Sequence, residues 1–121
     1  MLDQITQVTI LVTDLRKAVN FYSYVLGLPI IVQTPQGAEF RTDGVILAVK
    51  PRTPADQTGK PAGSGGSTQV TFQVSDLDVA FTDAKGRGAK VMAPPRTVEA
   101  GRLARLLDPE GNIIELFEPE A

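Results

Sequence analysis

Glu115 sits in an apolar, β-branched run over residues 112–117, sharing one face with Ile113 and Phe117 while Ile114 and Leu116 take the other. Two further runs, 7–12 and 69–74, show the same two-residue alternation. Val8, Ile10 and Val12, and Val70, Phe72 and Val74, form core faces; Gln7, Thr9 and Leu11, and Gln69, Thr71 and Gln73, form the opposite, polar-lined faces. Amides, hydroxyls and one carboxylate can hydrogen-bond an organic ligand or one another, or offer oxygen donors to a hard cation. Burying a carboxylate alone costs several kcal/mol or raises its pKa. Glu115 is therefore expected to be salt-bridged, protonated or metal-bound, and a raised pKa would make it the one plausible internal general base. Arg102 and Arg105 are its candidate partners. They fall on opposite faces of one strand, so only one can point with Glu115, and the pattern does not choose between them.

Composition removes several chemistries. The chain has no Cys and no His. Thiolate nucleophiles, disulfides and Cys-based zinc sites are excluded, as are a Ser/His/Asp set and two-His-one-carboxylate iron chemistry. No P-loop, dinucleotide or zincin motif occurs. Net charge is −2 with no basic run, which argues against nucleic acid. No run approaches the roughly 18 apolar residues of a membrane span, and Met1-Leu2-Asp3-Gln4 does not open a signal sequence. A protein of the cytoplasm, with no membrane partner, is expected.

The elements that position these groups come in two copies. QVTILVTDL (7–15) and QVTFQVSDL (69–77) agree at six of nine positions. Gly44-Val-Ile-Leu-Ala-Val-Lys-Pro51 rhymes with Gly111-Asn-Ile-Ile-Glu-Leu-Phe-Glu-Pro119. Thr13-Asp14 and Ser75-Asp76 read as helix N-caps. The first helix shows Ala18, Phe21, Tyr22, Val25 and Leu26 at helical spacing and stops at Gly27; the second shows Leu77, Ala80, Phe81 and Ala84 and ends in Gly86-Arg87-Gly88. Strands follow at about 29–34, 38–42 and 45–50, with Asp43-Gly44 as a hairpin turn, and at 90–92, 102–107 and 112–117, with Asp108-Pro-Glu-Gly111 as a turn. Loops are expected at 35–37 and 93–96. The reading is an α+β chain of two tandem βαβββ modules, about 2–51 and 67–119. The Pro/Gly/Ser-rich stretch between them, 52–66, is expected to be a mobile linker. Its Gly63-Ser-Gly-Gly66 run is no phosphate cradle, since a strand and not a helix follows. Phe21, Tyr22, Phe72 and Phe81 suit the core, and Phe40 and Phe117 are the pocket candidates.

Val12-Thr-Asp-Leu15, Phe21-Tyr22 and Val25-Leu-Gly27 resemble the first-module signature of the glyoxalase/bleomycin-resistance/dioxygenase (vicinal oxygen chelate) superfamily. Asp108-Pro-Glu-Gly-Asn112 followed by Glu115 resembles the second. The resemblance covers essentially the whole chain. It implies a mostly antiparallel, U-shaped sheet cup that binds a small molecule, commonly in a homodimer that pairs module 1 of one chain with module 2 of another, although the linker also permits closure within one chain. It places metal-ligand positions at Gln7, Ala48, Gln69 and Glu115, and favours Arg105 as the inward arginine. Ala48 supplies no ligand and the two amides are weak ones, so a Mn, Ni or Zn site needs help from the substrate. The expected function is binding of a drug or metabolite without a tightly held metal, with Gln7, Thr9, Gln69, Thr71, Arg105 and Phe117 as ligand contacts. The alternative within the family is a metal-dependent lyase, isomerase or thiol transferase using Glu115 with Gln7 and Gln69. Ring-cleaving dioxygenase chemistry is disfavoured by the missing His, and the shortage of aromatic rings weakens a bleomycin-type reading. A purely structural or partner-binding module is a third possibility, which an exposed apolar patch would favour.

Overall fold

A computed structural model of the chain describes residues 1–53 and 68–121. It divides into two compact units, Met1–Ser64 and Gly65–Ala121. Apart from Arg52 and Thr53, the expected linker and its glycine run lie outside the described residues.

Each unit is a βαβββ module. In unit 1, β1 (Gln7–Val12) leads into α1 (Leu15–Asn20), then β2 (Ile30–Thr34), β3 (Gly37–Phe40) and β4 (Ile46–Pro51). In unit 2, β5 (Gln69–Gln73) leads into α2 (Leu77–Gly86), then β6 (Lys90–Val98), β7 (Gly101–Leu107) and β8 (Ile113–Pro119). The sheets run β1-β4-β3-β2 and β5-β8-β7-β6. In each, the first and last strands of the module pair in parallel and the other pairs are antiparallel.

Both helices begin as their sequences demand. The Asp14 carboxylate accepts from the Lys17 N–H at 3.1 Å, and Asp76 does the same for Val79 at 3.1 Å. Each satisfies one of the backbone donors that a helix start leaves open. The first helix departs from expectation after Asn20, where Phe21–Val25 widens into a π-helical turn. The Ser23 hydroxyl bonds back to the Val19 carbonyl, a local competitor of the regular ladder. The turn seats the Phe21 and Tyr22 rings edge to face, 5.1 Å apart. Gly27, at φ 76°, then ends it in the left-handed region.

Alternation decides the cores. In unit 1, Ile10 and Val12 of β1, Ala38 and Phe40 of β3, and Leu47 and Val49 of β4 are buried on the side of α1, with Ala18, Val19, Phe21, Tyr22 and Val25. Each large apolar side chain so buried contributes about 2 kcal/mol. Val8, expected in this core, stays 37% exposed at its outer end. Phe40, expected to line a pocket, is instead fully buried with its ring 5.9 Å from that of Tyr22. In unit 2, Leu77 and Ala84 of α2 meet Ala104, Leu106, Ile114 and Leu116.

Two other expectations are corrected. The β3–β4 connection is not a tight Asp43-Gly44 hairpin but a five-residue loop, 41–45, in which the Thr42 hydroxyl donates to the Val45 carbonyl and accepts from the Gly44 N–H. Strand β6 runs through Pro94-Pro95 to Val98, where a loop was expected. It is the edge strand, and its pairing with β7 shifts register on either side of Ala93. An edge strand with irregular pairing tolerates residues that cannot donate to a ladder.

The β7–β8 turn is built on Asp108. Its buried carboxylate accepts from the N–H groups of Glu110 and Asn112 and from the Asn112 side-chain amide, at 2.8–2.9 Å. The Asn112 side-chain Oδ1 in turn accepts from the N–H of Thr68, just before β5. On the helix side, Arg102 of β7 makes a two-pronged pair with Asp78 of α2 at 2.9 and 3.1 Å.

Asp108→Ala strips these donors of their acceptor and is expected to destabilise the protein by about 3 kcal/mol in chemical denaturation, with Asp108→Asn losing less. The hydrogen bond and then the charge of Arg102 hold Asp78 below its ordinary value of 3.8. A carboxylate pKa lowered by folding stabilises above the unfolded value, and that contribution disappears as pH falls through the folded one. The melting-temperature deficit of Arg102→Ala is therefore expected at pH 7 and to close progressively below about pH 4. A deficit unchanged at pH 2 would show that the charge pair is not its source.

Candidate functional site

The face of each sheet opposite its helix carries the polar side chains. In unit 2, α2 packs on β6, β7 and β8. The carboxylate of Glu118 accepts from the Leu77 N–H at the start of α2 at 2.8 Å, so Glu118 points to the helix and its neighbour Phe117 points away. Register then assembles three rows on the helix-free face. Thr71, Glu115, Arg105 and Ala93 form the middle row. Gln69, Ile113, Leu107 and Lys90 flank it on one side, and Gln73, Phe117, Leu103 and Arg96 on the other.

The middle row is joined by hydrogen bonds. Arg105 Nε donates to Glu115 Oε2 at 2.9 Å, and Thr71 Oγ1 donates to Glu115 Oε1 at 3.2 Å. The Glu115 side chain is 13% exposed and that of Arg105 is 32% exposed. Glu115 is thus salt-bridged, one of the three states expected of it. Arg105 is its partner, while Arg102 is committed to Asp78 on the helix side.

Unit 1 holds a chemically different row. Gln7 Nε2 donates to Thr9 Oγ1 at 3.1 Å. Thr9 stands opposite Ala48, Ala48 opposite Glu39, and Glu39 opposite Val32. Ala48 occupies the place that Glu115 has in unit 2, and Glu39 the place of Arg105. Glu39 was not singled out by sequence, nor were Leu103, Lys90 and Arg96. The first needed the β3–β4 register, and the last two lie on a strand whose irregular pairing hides its alternation. A groove of about 830 Å³ between α1 and β2, lined by residues such as Leu15, Val19, Ser23 and Ile30, shares no residue with this row.

The donor set does not suit a resident divalent cation. Both oxygens of Glu115 are engaged, one by a cationic guanidinium, and Gln69 in the flanking row of the same sheet adds only a neutral amide. Among the described residues no three His, Cys, Asp or Glu side chains gather as ligands. Nor is any helix among them long and apolar enough to cross a membrane.

The fold matches a known class. The family model of the Glyoxalase/Bleomycin resistance protein/Dioxygenase superfamily matches residues 4–116, and the chain belongs to that superfamily. It is 30% identical to Uncharacterized protein YraH of Bacillus subtilis (strain 168), covering 95% of this chain and 98% of that one. TnmS3, an antibiotic binding protein from Streptomyces sp. CB03234, superposes with a TM-score of 0.80 at 23% identity, covering 98% of both chains. A glyoxalase/bleomycin resistance protein/dioxygenase from Nocardioides gives 0.79 at 26% identity, over 98% of this chain and 85% of its own.

A double-mutant cycle on Arg105 and Glu115 is expected to give a coupling energy of about 1–2 kcal/mol, reduced by salt because the guanidinium is partly hydrated. Arg105→Ala should cost more than Glu115→Gln, since it leaves the less exposed charge without its partner.

Proposed function

We propose that this protein binds a small organic molecule, a drug or metabolite, on the helix-free sheet faces without a tightly bound metal. The observation that carries the reading is the state of Glu115. Both of its oxygens are held by side chains of its own sheet, and one of them by Arg105. A carboxylate so engaged must surrender a hydrogen bond before it can ligate a metal or take up a proton, which weighs against the lyase, isomerase or transferase alternative. Around it, Gln69, Thr71 and Gln73 offer donors and acceptors, while Ile113, Leu107, Phe117 and Leu103 offer apolar surface. That mixture orients an organic ligand. The likeness of fold to an antibiotic binding protein agrees with the reading. The working form proposed is a homodimer in the cytoplasm. Ile30, Ile31 and Val32 on edge strand β2, and Val91 and Met92 on edge strand β6, are exposed in the single chain, as a partner-covered edge would be.

Calorimetric titration of Mn²⁺, Ni²⁺ or Zn²⁺ into chelator-treated protein is expected to show no binding in wild type or in Glu115→Ala. Tight binding lost in the variant would overturn the metal-free reading in favour of the enzyme alternative. Light scattering at micromolar concentration should report twice the 12.9 kDa chain mass; a monomer would sink the dimer.

A further inference from the structure

The helix-free face of unit 2 is charged against the sign of the whole protein. The chain carries −2, yet the strands of this face present Lys90, Arg96 and Arg105 against Glu115 alone. Glu99 and Glu110 lie in turns and Glu118 points to α2. Arg105 is moreover fixed in a particular way. It binds Glu115 through Nε, and among the described residues its two Nη groups have no hydrogen-bond acceptor. A guanidinium held at its inner nitrogen and 32% exposed leaves a planar pair of Nη donors for a second partner, a pair that matches two oxygens of an anion. The pair lies between two apolar rows, Ile113 with Leu107 and Phe117 with Leu103. Phe117, half-buried, brings an aromatic residue to the row beside the pair, and Arg96 brings a second cation to that same row.

We infer that the ligand of this face is a small apolar anion, an aromatic or alicyclic body bearing a carboxylate, sulfonate or similar oxyanion that docks on the Nη groups of Arg105. Glu115 is then a positioning residue: it holds the guanidinium in plane and cancels enough of its charge to keep the face from binding anions without regard to shape. The inference rests on the small-molecule reading above and adds the charge of the ligand to it. Neutral or cationic bodies lose the pairing and leave the Arg105 donors without an acceptor, which is where discrimination arises.

Two fluorescent probes that differ by one group test this. They are 1-anilinonaphthalene-8-sulfonate and its neutral parent N-phenyl-1-naphthylamine, titrated into the wild type, Arg105→Gln, Arg105→Gln/Glu115→Gln and Arg102→Gln. The expected result is at least about tenfold tighter binding of the sulfonate by wild type, weakened by added salt. Arg105→Gln and the double variant, checked for folding by thermal melts, should lose that preference and keep the affinity for the neutral probe. Arg102→Gln, altered on the other face, should keep it. The double variant guards against a fold lost to an unpaired carboxylate, and the wild-type comparison by itself decides the charge of the ligand. Equal affinity for the two probes overturns the anion inference and leaves small-molecule binding standing. A sulfonate preference that survives in folded Arg105→Gln overturns the assignment to Arg105. Binding of neither probe overturns both readings.

Discussion

The parallel pairing of the first and last strands within each module sets the positions of everything else. In unit 2 it is fastened at one end by Ile113 N–H to the Thr68 carbonyl and Thr68 N–H to the Asn112 side chain. At the other end Val74 N–H reaches the Phe117 carbonyl. With the ends held, Thr71 must stand opposite Glu115, and the antiparallel β7–β8 register brings Arg105 to the other side of the same residue. Side chains alternate along a strand, so a slip of one residue would turn Glu115 and Arg105 into the α2 side and Ile114 and Leu106 out of it. The buried core on one face thereby enforces the polar arrangement on the other. The buried Asp108–Asn112 turn is where this enforcement begins, which explains a charged residue so fully enclosed.

The two modules share this scaffold and differ in what they display. At equivalent places one has Thr9, Ala48 and Glu39, the other Thr71, Glu115 and Arg105. The first row holds a carboxylate without a guanidinium opposite it and the second a paired ion couple. Duplicated backbones constrain strand order and core volume, whereas the residues facing away from the helix are free of that constraint. That separation is the physical reason membership of a superfamily with many activities fixes a fold without fixing a reaction.

Much of the architecture was legible. Period-two runs, aspartates before helical stripes and a six-in-nine repeat are local signals, and each arises from backbone geometry that neighbours in sequence already share. The misses were of a different kind. Phe40 was expected in a pocket, but the side of β3 it occupies depends on pairing with β4, and it belongs to the core with Tyr22. Strand β6 was cut short at Pro94-Pro95 because prolines end interior strands, and only its place at the sheet edge makes them tolerable. The π-helical turn at Phe21–Val25 keeps an apolar stripe close enough to helical spacing that periodicity does not betray it.

By itself the sequence determined the family, the doubled βαβββ order, the faces of the first strands, and the absence of imidazole and thiol chemistry. These follow from composition and short-range periodicity, which need no knowledge of distant partners. It also limited Glu115 to three states, because a carboxylate in an apolar strand has few ways to be tolerated. Which state it takes was decided by tertiary structure. Thr71, Arg105 and Glu115 are separated by tens of residues or by a full turn of chain, and strand register alone brings them within hydrogen-bonding distance. The choice between Arg102 and Arg105 was settled in the same way. Docking of α2 supplies Asp78 to one face, and β8 supplies Glu115 to the other.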